Sequence, residues 1–491
     1  MSAVLVVGTT SGAGKSTVAA ALCRALANRG HRVAPFKAQN MSNHAAVTPD
    51  GGEIGRAQAM QAAAARIEPD RRMNPILLKP TAGHRSHVVV MGDEQDTTDA
   101  RAYGLTAQDL KPVVLDALSS LRREVDWVVG EGAGGAAEIN LLDRDLVNLP
   151  LAHAAGVPAI LVVDIDKGGA FAAAHGTIDL VPDHLAATVQ GIVINQFRGD
   201  ASLLADGIAD LERRHGIPVL GVLPHLGDEP MLGVEDSLDV HLGVVGRTRS
   251  DDPVRVAAVR LPHLANPSDL DPFVVEDDVE LRWATAPGDL ADADLIVLPG
   301  SRATVADLEW LRSAGLADAL ASTDADIVGV CAGFQMLGQT IDDEVESGQG
   351  HVAGLGLLDT ATTFAEPKIV RQASGASAAG PVRGYEIRFG RPSLGAMPWL
   401  TVEGEPEGAV VGTVRGTSLH GVFDEDTTRT ALLTDVAARR GRTYAPASMS
   451  FADALDRHHE RLAAWVAEHL DLDQVEAIGG AAVAPGEEPG W

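Results

Sequence analysis

A glycine-rich turn near the start of the chain, Gly8–Ser16, constrains the fold more than any other feature. It follows a short apolar run, Val4–Val7, and leads into an alanine-rich stretch with helical periodicity. A buried strand that turns sharply into a helix is the first half of a β-α-β unit. Further apolar runs follow at Arg32–Phe36, Trp127–Val129, Ala159–Val163 and Gly191–Ile194, with Val219–Leu223 as a last edge strand. The pattern predicts an α/β domain with a doubly wound, mostly parallel sheet.

The same turn has the composition of a phosphate-binding loop. Its backbone N–H groups and the following helix N-terminus would cradle phosphates, Lys15 would reach the terminal phosphates, and Ser16 would bind Mg²⁺. Five residues separate Gly8 from Gly14, one more than in the common P-loop. This variant resembles the loop of dethiobiotin synthetase-like and ParA/MinD-like ATPases. The alternative is a glycine-rich turn capped by an exposed lysine. We predict ATP binding at Gly8, Thr9, Gly12, Gly14, Lys15, Ser16 and Thr17.

Polar side chains end three later strands of this predicted sheet. Glu131 follows Trp127–Val129 and would hold Mg²⁺ directly or through water, and Asp164, with Asp166 nearby, is a second metal candidate. Asn195 ends the strand Gly191–Ile194, where an amide could read adenine. Each has a plainer alternative, because a glutamate in a loop is often solvent-exposed and an aspartate after a strand is often a cap.

A second α/β series begins after a polar linker. Its predicted strands are Val254–Leu261, Leu295–Leu298, Ile327–Val330 and Ala409–Val414, and a mobile loop is predicted at Ala373–Gly380. We predict an ATPase domain over residues 1–240, a linker over 241–253 and a second domain over 254–445. We also predict a C-terminal helical segment over 446–478, whose helix opens at Ser450, and a disordered tail over 479–491.

Cys331 lies where an apolar strand meets a helix through small residues, Ala332 and Gly333. This strand–turn–helix pattern predicts an exposed thiol at a helix N-terminus, which favours the thiolate. The N–H of Ala332 would face a developing oxyanion. His420, after the strand Ala409–Val414, is the candidate base. A strand-to-glycine turn at Gly300 and Ser301 would complete the oxyanion hole. The alternatives are a buried core cysteine and a hydrogen-bonded loop histidine.

The chain's charge and cysteine content exclude several classes of protein. The net charge of −29 argues against binding to nucleic acid or to an anionic membrane surface. The two cysteines, Cys23 and Cys331, are far apart and imply no disulfide framework, which fits a reducing cytosol. No run of 18 apolar residues occurs, so no membrane span is expected. We expect a cytoplasmic protein.

The C-terminal motifs resemble those of class I, triad-type glutamine amidotransferases. Pro299–Ser301, Cys331 with Gln335, and His420 carry the resemblance. It implies that the cysteine attacks the side-chain amide of glutamine and releases ammonia, with Gln335 in the glutamine site. Most members of that family follow the histidine with Pro-Glu, whose glutamate orients the histidine, but here Gly421 and Val422 follow. Asp424 and Glu425 are candidates for this role, and the sequence selects neither.

An ATPase of this type joined to such a glutaminase resembles the cobyric and cobyrinic acid amide synthases, and the cobyric acid synthases most. The resemblance reaches to about Leu470 and rests on Phe36–His44, Glu53–Gln58, Met73–Pro80, Val163–Gly169, Asn195–Asp200, Leu261–Asn266, Gly384–Ile387 and Leu419–Asp424. It implies amidation of the b, d, e and g carboxylates of a corrinoid, adenosylcobyrinic acid a,c-diamide, with ATP and glutamine as co-substrates. It also implies that Lys37 bridges phosphate and substrate carboxylate and that Glu53 is a further Mg²⁺ ligand.

Three other functions are compatible with the sequence. The nearest is a cobyrinic acid a,c-diamide synthase, which the segments Lys37–His44 and Met73–Pro80 disfavour. Another is a ParA/MinD-like ATPase switch with an inactive glutaminase-like domain, and the presence of both Cys331 and His420 argues against it. The third is amidation of a substrate that is not a corrinoid, such as a cell-wall lipid intermediate. The sequence leaves the oligomeric state and the order of amidations undecided.

Overall fold

The computed structural model describes residues 1–80, 85–95, 98–227, 243–245, 248 and 250–481. Much of the predicted linker at 241–253, and the predicted tail from residue 482 onward, lie outside the described residues. Within these two predicted segments, residues 243–245 form a strand, and residues 479 and 480 belong to the last helix.

The part of the chain up to residue 227 alternates strands with helices. Its strands are β1 (Ser2–Gly8), β2 (Val33–Phe36), β3 (Gln39–Met41), β4 (Ala45–Val47), β5 (Glu53–Gly55), β6 (Ile76–Pro80), β7 (Arg85–Val90), β8 (Asp93–Glu94), β9 (Thr98–Asp99), β10 (Trp127–Glu131), β11 (Ala159–Asp164), β12 (Val189–Phe197) and β13 (Val219–Pro224). Its helices are α1 (Lys15–Asn28), α2 (Arg56–Ala64), α3 (Ala100–Glu124), α4 (Leu149–Ala155), α5 (Ala170–Leu180), α6 (Asp183–Ala186) and α7 (Ala205–His215).

Six of these strands form a parallel sheet in the order β13-β12-β11-β1-β10-β2, which confirms the predicted doubly wound fold. The strands are nearly continuous apolar runs because helices cover both faces of such a sheet. The register pairs Val6 with Glu131, and Asp164 with Asn195. The carboxyl ends of β1, β10, β11 and β12 therefore meet at one edge, beside β1 where the strand order reverses.

The remaining chain forms a second set of elements. Its strands are β14 (Gly243–Val245), β15 (Val254–Val259), β16 (Leu264–Ala265), β17 (Val279–Ala284), β18 (Leu295–Leu298), β19 (Gly300–Ser301), β20 (Asp326–Val330), β21 (Thr340–Asp343), β22 (Gly350–Ala353), β23 (Ala361–Ser377), β24 (Gly380–Pro392), β25 (Leu400–Val402), β26 (Glu405–Glu407), β27 (Ala409–Val411) and β28 (Val414–Thr417). Its helices are α8 (Asp271–Val274), α9 (Thr304–Ser313), α10 (Leu316–Ser322), α11 (Ala332–Leu337), α12 (Asp426–Arg440), α13 (Phe451–His469) and α14 (Leu472–Gly480).

The central sheet of this part has the order β14-β17-β15-β18-β20-β28-β27, with parallel pairing from β17 to β28. A second sheet has the order β22-β21-β23-β25-β26, with β24 paired to β23. The chain forms it between β20 and β27 of the central sheet. Two predictions are wrong here. Ala373–Gly380 is not a loop, because most of it belongs to β23, which pairs with β24. Ala409–Val414 is not one strand, because β27 and β28 form an antiparallel hairpin.

The chain divides into two compact units. The first contains residues 1–42, 53–228 and 456–491, and the second contains residues 43–52 and 229–455. The predicted boundaries at 240, 254 and 445 stay predictions. The units differ from them in that residues 43–52 group with the second unit and the end of the chain groups with the first. In the described part of the chain, no helix combines the length and apolarity needed to cross a bilayer.

The second unit contains a buried ion pair between Arg429 of α12 and Glu276. The guanidinium Nε donates to Glu276 Oε1 at 2.7 Å, and both side chains are 1% exposed. Arg429 also donates to the carbonyl of Phe423 at 2.6 Å and to Asp426 at 2.6 Å. Tyr444 donates to the second oxygen of Glu276 at 3.0 Å. Removal of one partner would leave the other charge buried without compensation.

We expect Arg429→Ala to lower the free energy of unfolding of the second unit by about 3–5 kcal/mol, because it strands the Glu276 carboxylate. Urea titration followed by tryptophan fluorescence measures the change. Arg440→Ala, on the same helix and partly exposed, is the control and should change stability by less than about 0.5 kcal/mol. Equal effects of the two variants would contradict this account of Arg429.

Candidate active sites

Cys331 occupies a strained turn between β20 and α11, which confirms the predicted strand–turn–helix arrangement. Its backbone has φ 52° and ψ −109°, outside the regions that side-chain-bearing residues ordinarily adopt. Gly333 makes the turn feasible, since a Cβ there would lie 1.8 Å from the carbonyl oxygen of Leu298. The N–H of Cys331 donates to the carbonyl of Thr417 at 2.8 Å, which ties the turn to the end of β28.

The thiol of Cys331 is buried, not exposed as the sequence pattern predicted. The residue is only 6% exposed, and its Sγ lies 3.9 Å from the carbonyl oxygen of Ile387 on β24. The long hairpin of β23 and β24, which the sequence pattern presented in part as a loop, provides this cover. Because the thiol is buried, water screens its electrostatic interactions with neighbouring groups less than it would at the surface.

His420 is oriented by Asp269, a residue that the sequence patterns did not single out. Asp269 Oδ2 lies 2.7 Å from His420 Nδ1, and its Oδ1 accepts the N–H of Gly421 at 3.0 Å. Both side chains are nearly fully buried. Asp269 belongs to a short 3₁₀ helix, Pro267–Leu270, directly after the segment Leu261–Asn266 on which the family resemblance partly rested. The position of Asp269 just after that segment was the one signal in the sequence that could have identified it.

This carboxylate fills the role for which Asp424 and Glu425 were the sequence candidates. Asp424 follows the turn after His420, and its N–H donates to the carbonyl of Gly421 at 3.0 Å. Glu425 caps α12. Cys331, His420 and Asp269 therefore have the arrangement that a nucleophile, a base and an orienting carboxylate would require.

Electrostatics in this triad favour a charged histidine. Burial by itself lowers the pKa of His420, but the Asp269 carboxylate and the side chain of Cys331 outweigh it and raise that pKa from 6.5 to about 10. At neutral pH a protonated His420 therefore faces the side chain of Cys331. Such a pair can attack a carbonyl carbon and then protonate a leaving nitrogen.

Tyr385 holds the other face of the imidazole. Its ring stacks on His420 with centroids 5.1 Å apart and an interplanar angle of 13°. The two residues also exchange backbone hydrogen bonds, with His420 N donating to the Tyr385 carbonyl at 2.9 Å and Tyr385 N to the His420 carbonyl at 3.1 Å. Tyr385 lies in Gly384–Ile387, one of the segments on which the family resemblance rests.

The predicted oxyanion residues surround the same turn. Ala332 is the first residue of α11, where backbone N–H groups have no intrahelical acceptor. Gly300 contacts the histidine closely, since a Cβ there would lie 3.0 Å from His420 Cε1. The Ser301 hydroxyl instead donates to Asp307 at 2.5 Å and accepts the N–H of Ala303 at 2.9 Å, so its side chain shapes the loop.

Gln335 is buried one turn after the thiol. A Cβ on Gly390 would lie 2.6 Å from the Gln335 Nε2, so the absence of a side chain at Gly390 makes room for this amide. Among the described residues, Gln335 Oε1 has no hydrogen-bond partner. A buried amide oxygen with an unused acceptor is suited to bind an N–H of a polar ligand.

The first unit places the predicted phosphate loop between β1 and α1. Gly14 has φ +90°, and a Cβ there would lie 2.2 Å from Asn195 Nδ2, so both backbone and space require glycine. Lys15 Nζ donates to the carbonyls of Thr10 and Gly134, each at 2.9 Å, and so spans the loop. The N–H of Thr9 donates into the sheet, to the carbonyl of Val162 at 3.1 Å. Gly12 lies in the short 3₁₀ turn, and Thr17 in the first turn of α1.

Glu131 is the centre of a polar cluster at this edge of the sheet. Its Oε1 accepts the hydroxyl of Ser16 at 2.8 Å and the ammonium of Lys37 at 2.8 Å. Its Oε2 accepts from Gln61 Nε2 of α2 at 2.6 Å. The register pairs Phe36 with Gly130, which sets Lys37 and Glu131 side by side at the ends of β2 and β10. Gln61 was missed because an amide on an alanine-rich helix carries no sequence signal.

The other predicted residues of this unit have different surroundings. Asn195 Nδ2 donates to the carbonyl of Ala13 at 2.9 Å, so it braces the phosphate loop. Asp164 Oδ1 accepts the N–H of Asp166 at 2.8 Å, as a capping aspartate does. Glu53 forms a buried ion pair with Lys79. A metal role for Glu53 and Asp164 stays a prediction.

The second cysteine differs sharply from Cys331. Cys23 lies in α1 and is fully buried in the core of the first unit. Burial, together with the nearby Glu131 carboxylate, raises the pKa of its thiol. Cys23 is therefore a neutral core side chain, whereas Cys331 lies beside His420.

Two family models match the chain. The CobQ/CobB/MinD/ParA nucleotide binding domain matches residues 4–228, which include the phosphate loop, Lys37 and Glu131. The CobB/CobQ-like glutamine amidotransferase domain matches residues 255–428, which include Asp269 and His420.

Relatives match over nearly the full chain. The cobyric acid synthase of Nocardia farcinica (strain IFM 10152) is 48% identical and covers 97% of this chain and 96% of its own. The cobyric acid synthase of Rhodococcus jostii (strain RHA1) is 48% identical and covers 99% of this chain and 96% of its own. That of Salmonella arizonae is 44% identical, covering 97% and 98%. A crystal structure of a glutamine amidotransferase matches 37% of this chain and 98% of its own at 16% identity, with a TM-score of 0.30, too low to support an argument.

We expect Asp269→Asn to lower the kcat of glutamine hydrolysis by roughly 100-fold or more, because the amide neither orients His420 correctly nor stabilises its protonated form. Ammonia release from glutamine measures the loss. Asp424→Asn is the matched control and should keep a kcat close to that of the wild type. A large loss in the control with none in Asp269→Asn would reverse the assignment.

The raised pKa of His420 also predicts a pH dependence of stability. The pKa is about 10 in the folded protein, against 6.5 for an ordinary histidine, so the protonated side chain stabilises the fold fully below pH 6.5. This stabilisation is lost as the pH rises towards 10. We expect the stability of Asp269→Asn to fall less than that of the wild type between pH 7 and pH 10, as measured by urea unfolding. Parallel pH profiles would contradict the coupling of Asp269 to His420.

Proposed function

The chain belongs to the cobyric acid synthase family, and we propose that it amidates the b, d, e and g carboxylates of adenosylcobyrinic acid a,c-diamide with ATP and glutamine. Membership rests on identities of 44–48% over nearly the whole chain, and it confirms the family assignment made from the sequence. An enzyme of this family catalyses an amidation in cobalamin biosynthesis and carries a glutamine amidotransferase domain. The specific carboxylates and the steps below are our proposals.

The observation that carries the proposal is that each unit contains an intact constellation for one half of the reaction. The second unit holds the triad of Cys331, His420 and Asp269. The first holds a phosphate loop with Lys15, beside the pair of Lys37 and Glu131. A binding switch with an inactive glutaminase-like domain would not need the triad, since Asp269 and Tyr385 serve to orient His420.

In the glutaminase step, the Cys331 thiolate would attack the side-chain carbonyl carbon of glutamine. As the carbon–nitrogen bond breaks, protonated His420 would transfer its proton to the leaving nitrogen, and ammonia departs. A thioester to glutamate remains on Cys331. Water, deprotonated by the now neutral His420, would hydrolyse it to glutamate and restore the thiolate–imidazolium pair. The N–H of Ala332 would stabilise the oxyanion, and Gln335 would bind the glutamine.

In the synthetase step, the substrate carboxylate would attack the γ-phosphorus of ATP and release ADP, which forms an acyl phosphate. Lys15 would compensate the charge of the transferred phosphoryl group, and Lys37 would hold the carboxylate near it. Ammonia would then attack the acyl carbon, and inorganic phosphate would leave as the amide forms. Lys37 is buried and already paired with Glu131, so its ammonium is held in a fixed position.

The residues at the phosphate loop fit a magnesium ion. The hydroxyl of Ser16 and a carboxylate oxygen of Glu131 lie 2.8 Å apart, and both are hard oxygen donors. Among the residues that the structure describes, no group of three or more His, Cys, Asp or Glu side chains could hold a metal ion. Two protein ligands suit Mg²⁺, which commonly takes the rest of its shell from phosphates and water. Bound there, the ion would neutralise phosphate charge.

We expect the purified protein to convert adenosylcobyrinic acid a,c-diamide to a product amidated at b, d, e and g when ATP and glutamine are supplied, as followed by mass spectrometry. Cys331→Ala should lose the reaction with glutamine but retain it with ammonium chloride. Lys37→Ala should lose it by at least roughly 100-fold with both nitrogen donors, because it acts in the synthetase step. Arg123→Ala, an exposed cation of the first unit, is the control.

Two results would overturn the proposal. Equal ammonia release from the wild type and Cys331→Ala would remove the glutaminase. Consumption of cobyrinic acid alone, with no turnover of the a,c-diamide, would assign the chain to the diamide-forming reaction instead.

A further inference from the structure

Glu407 is the last residue of β26, at the point where the chain passes from the second sheet to the central sheet. It makes two short hydrogen bonds to the segment that leads into His420. Its Oε2 accepts the hydroxyl of Thr417 at 2.6 Å, and its Oε1 accepts the N–H of Ser418 at 2.7 Å. Both donors are uncharged, and burial raises the pKa of the Glu407 carboxyl. Glu407 is therefore a partly buried side chain whose two hydrogen bonds hold the segment before His420.

Thr417 connects Glu407 to both reacting groups. Its carbonyl accepts the N–H of Cys331 at 2.8 Å. Its hydroxyl, while donating to Glu407, accepts the N–H of Leu419 at 3.0 Å, directly before His420. One carboxylate thus fixes the backbone beside the nucleophile and beside the base. Because Cys331 has a strained backbone, its conformation persists only if the surrounding contacts determine it fully.

Close backbone packing leaves Glu407 little freedom to move away. The register of the β27–β28 hairpin pairs Ala409 with Gly416, so the residues before Ala409 run alongside those after Gly416. A Cβ on Gly408 would lie 2.4 Å from the carbonyl oxygen of Gly416. A Cβ on Gly416 would in turn lie 2.2 Å from the ring of Phe334 in α11. Close packing therefore extends from Gly408, next to Glu407, through Gly416 to α11, the helix that follows Cys331.

We propose that Glu407 is a positioning residue of the glutaminase step, which holds Cys331 and His420 at the spacing that the attack on glutamine requires. It acts through Thr417 and Ser418 and touches neither glutamine nor the thiol. This role rests on the glutaminase function proposed above. Small displacements of reacting groups lower rates strongly without changing substrate binding, so the effect falls on kcat and leaves KM unchanged.

The test compares Glu407→Ala and Glu407→Gln with Glu405→Gln, an exposed glutamate of the same strand. Three quantities are measured: kcat and KM for glutamine hydrolysis, the rate of Cys331 alkylation by iodoacetamide, and corrinoid amidation with ammonium chloride. We expect Glu407→Ala to lower kcat by about 100-fold with KM within about twofold. Glu407→Gln, which keeps one acceptor oxygen, should lose less. Amidation with ammonium should stay at the wild-type rate in every variant.

Glu407→Gln has nearly the shape of glutamate, so it carries the test if Glu407→Ala fails to fold. A lowered kcat and slower alkylation in Glu407→Gln, with an unchanged thermal midpoint and unchanged ammonium-dependent amidation, support the role. A wild-type kcat in Glu407→Ala, or in Glu407→Gln where Glu407→Ala does not fold, or an equal loss in Glu405→Gln, overturns it. A wild type without Cys331-dependent ammonia release would instead overturn the proposed function, so the two failures are distinguishable.

Discussion

At Cys331 the backbone adopts φ 52° and ψ −109°, a conformation that costs of order 1–3 kcal/mol for a residue with a side chain. Contacts from the rest of the second unit hold this turn in its strained conformation. The glycine at position 333 admits the carbonyl of Leu298, and Thr417 at the end of β28 accepts the Cys331 N–H. Because β20 lies between β18 and β28, both neighbouring strands hold the turn. The strained turn places the thiol of Cys331 at the start of α11, next to His420.

In each unit one buried carboxylate holds a cation at the candidate active site. In the second unit Asp269 holds the His420 imidazolium, and in the first Glu131 holds the Lys37 ammonium. In both, the carboxylate has further donors, Gly421 N–H for Asp269 and Ser16 with Gln61 for Glu131. A buried carboxylate needs such donors, since its desolvation is otherwise not compensated. The hydrogen bonds that stabilise the charge also fix its direction.

Sequence reasoning succeeded where structure follows from neighbours in the chain. The apolar runs that predicted β1, β10, β11 and β12 were correct, because a strand covered on both faces must be continuously apolar. It failed at Ala373–Gly380, where small residues resemble a loop. There the segment is extended because β24 pairs with it, and composition does not encode that partner. The turn at Gly412 likewise divides an apolar run into the hairpin of β27 and β28.

The sequence by itself determined the family, the two α/β sheets, the phosphate loop and the pairing of Cys331 with His420. The sheets and the loop depend on glycines and apolar periodicity, which local patterns record, and the family and the pairing of Cys331 with His420 followed from the resemblance of several motifs to a known family. Only the tertiary structure decided that Asp269, 151 residues before His420, orients the histidine, and that Gln61 shares Glu131 with Lys37. It also decided that the thiol is buried under β24. Such partners meet because separate segments pack on the same sheet edge, and a pattern read along the chain does not record which segments pack together.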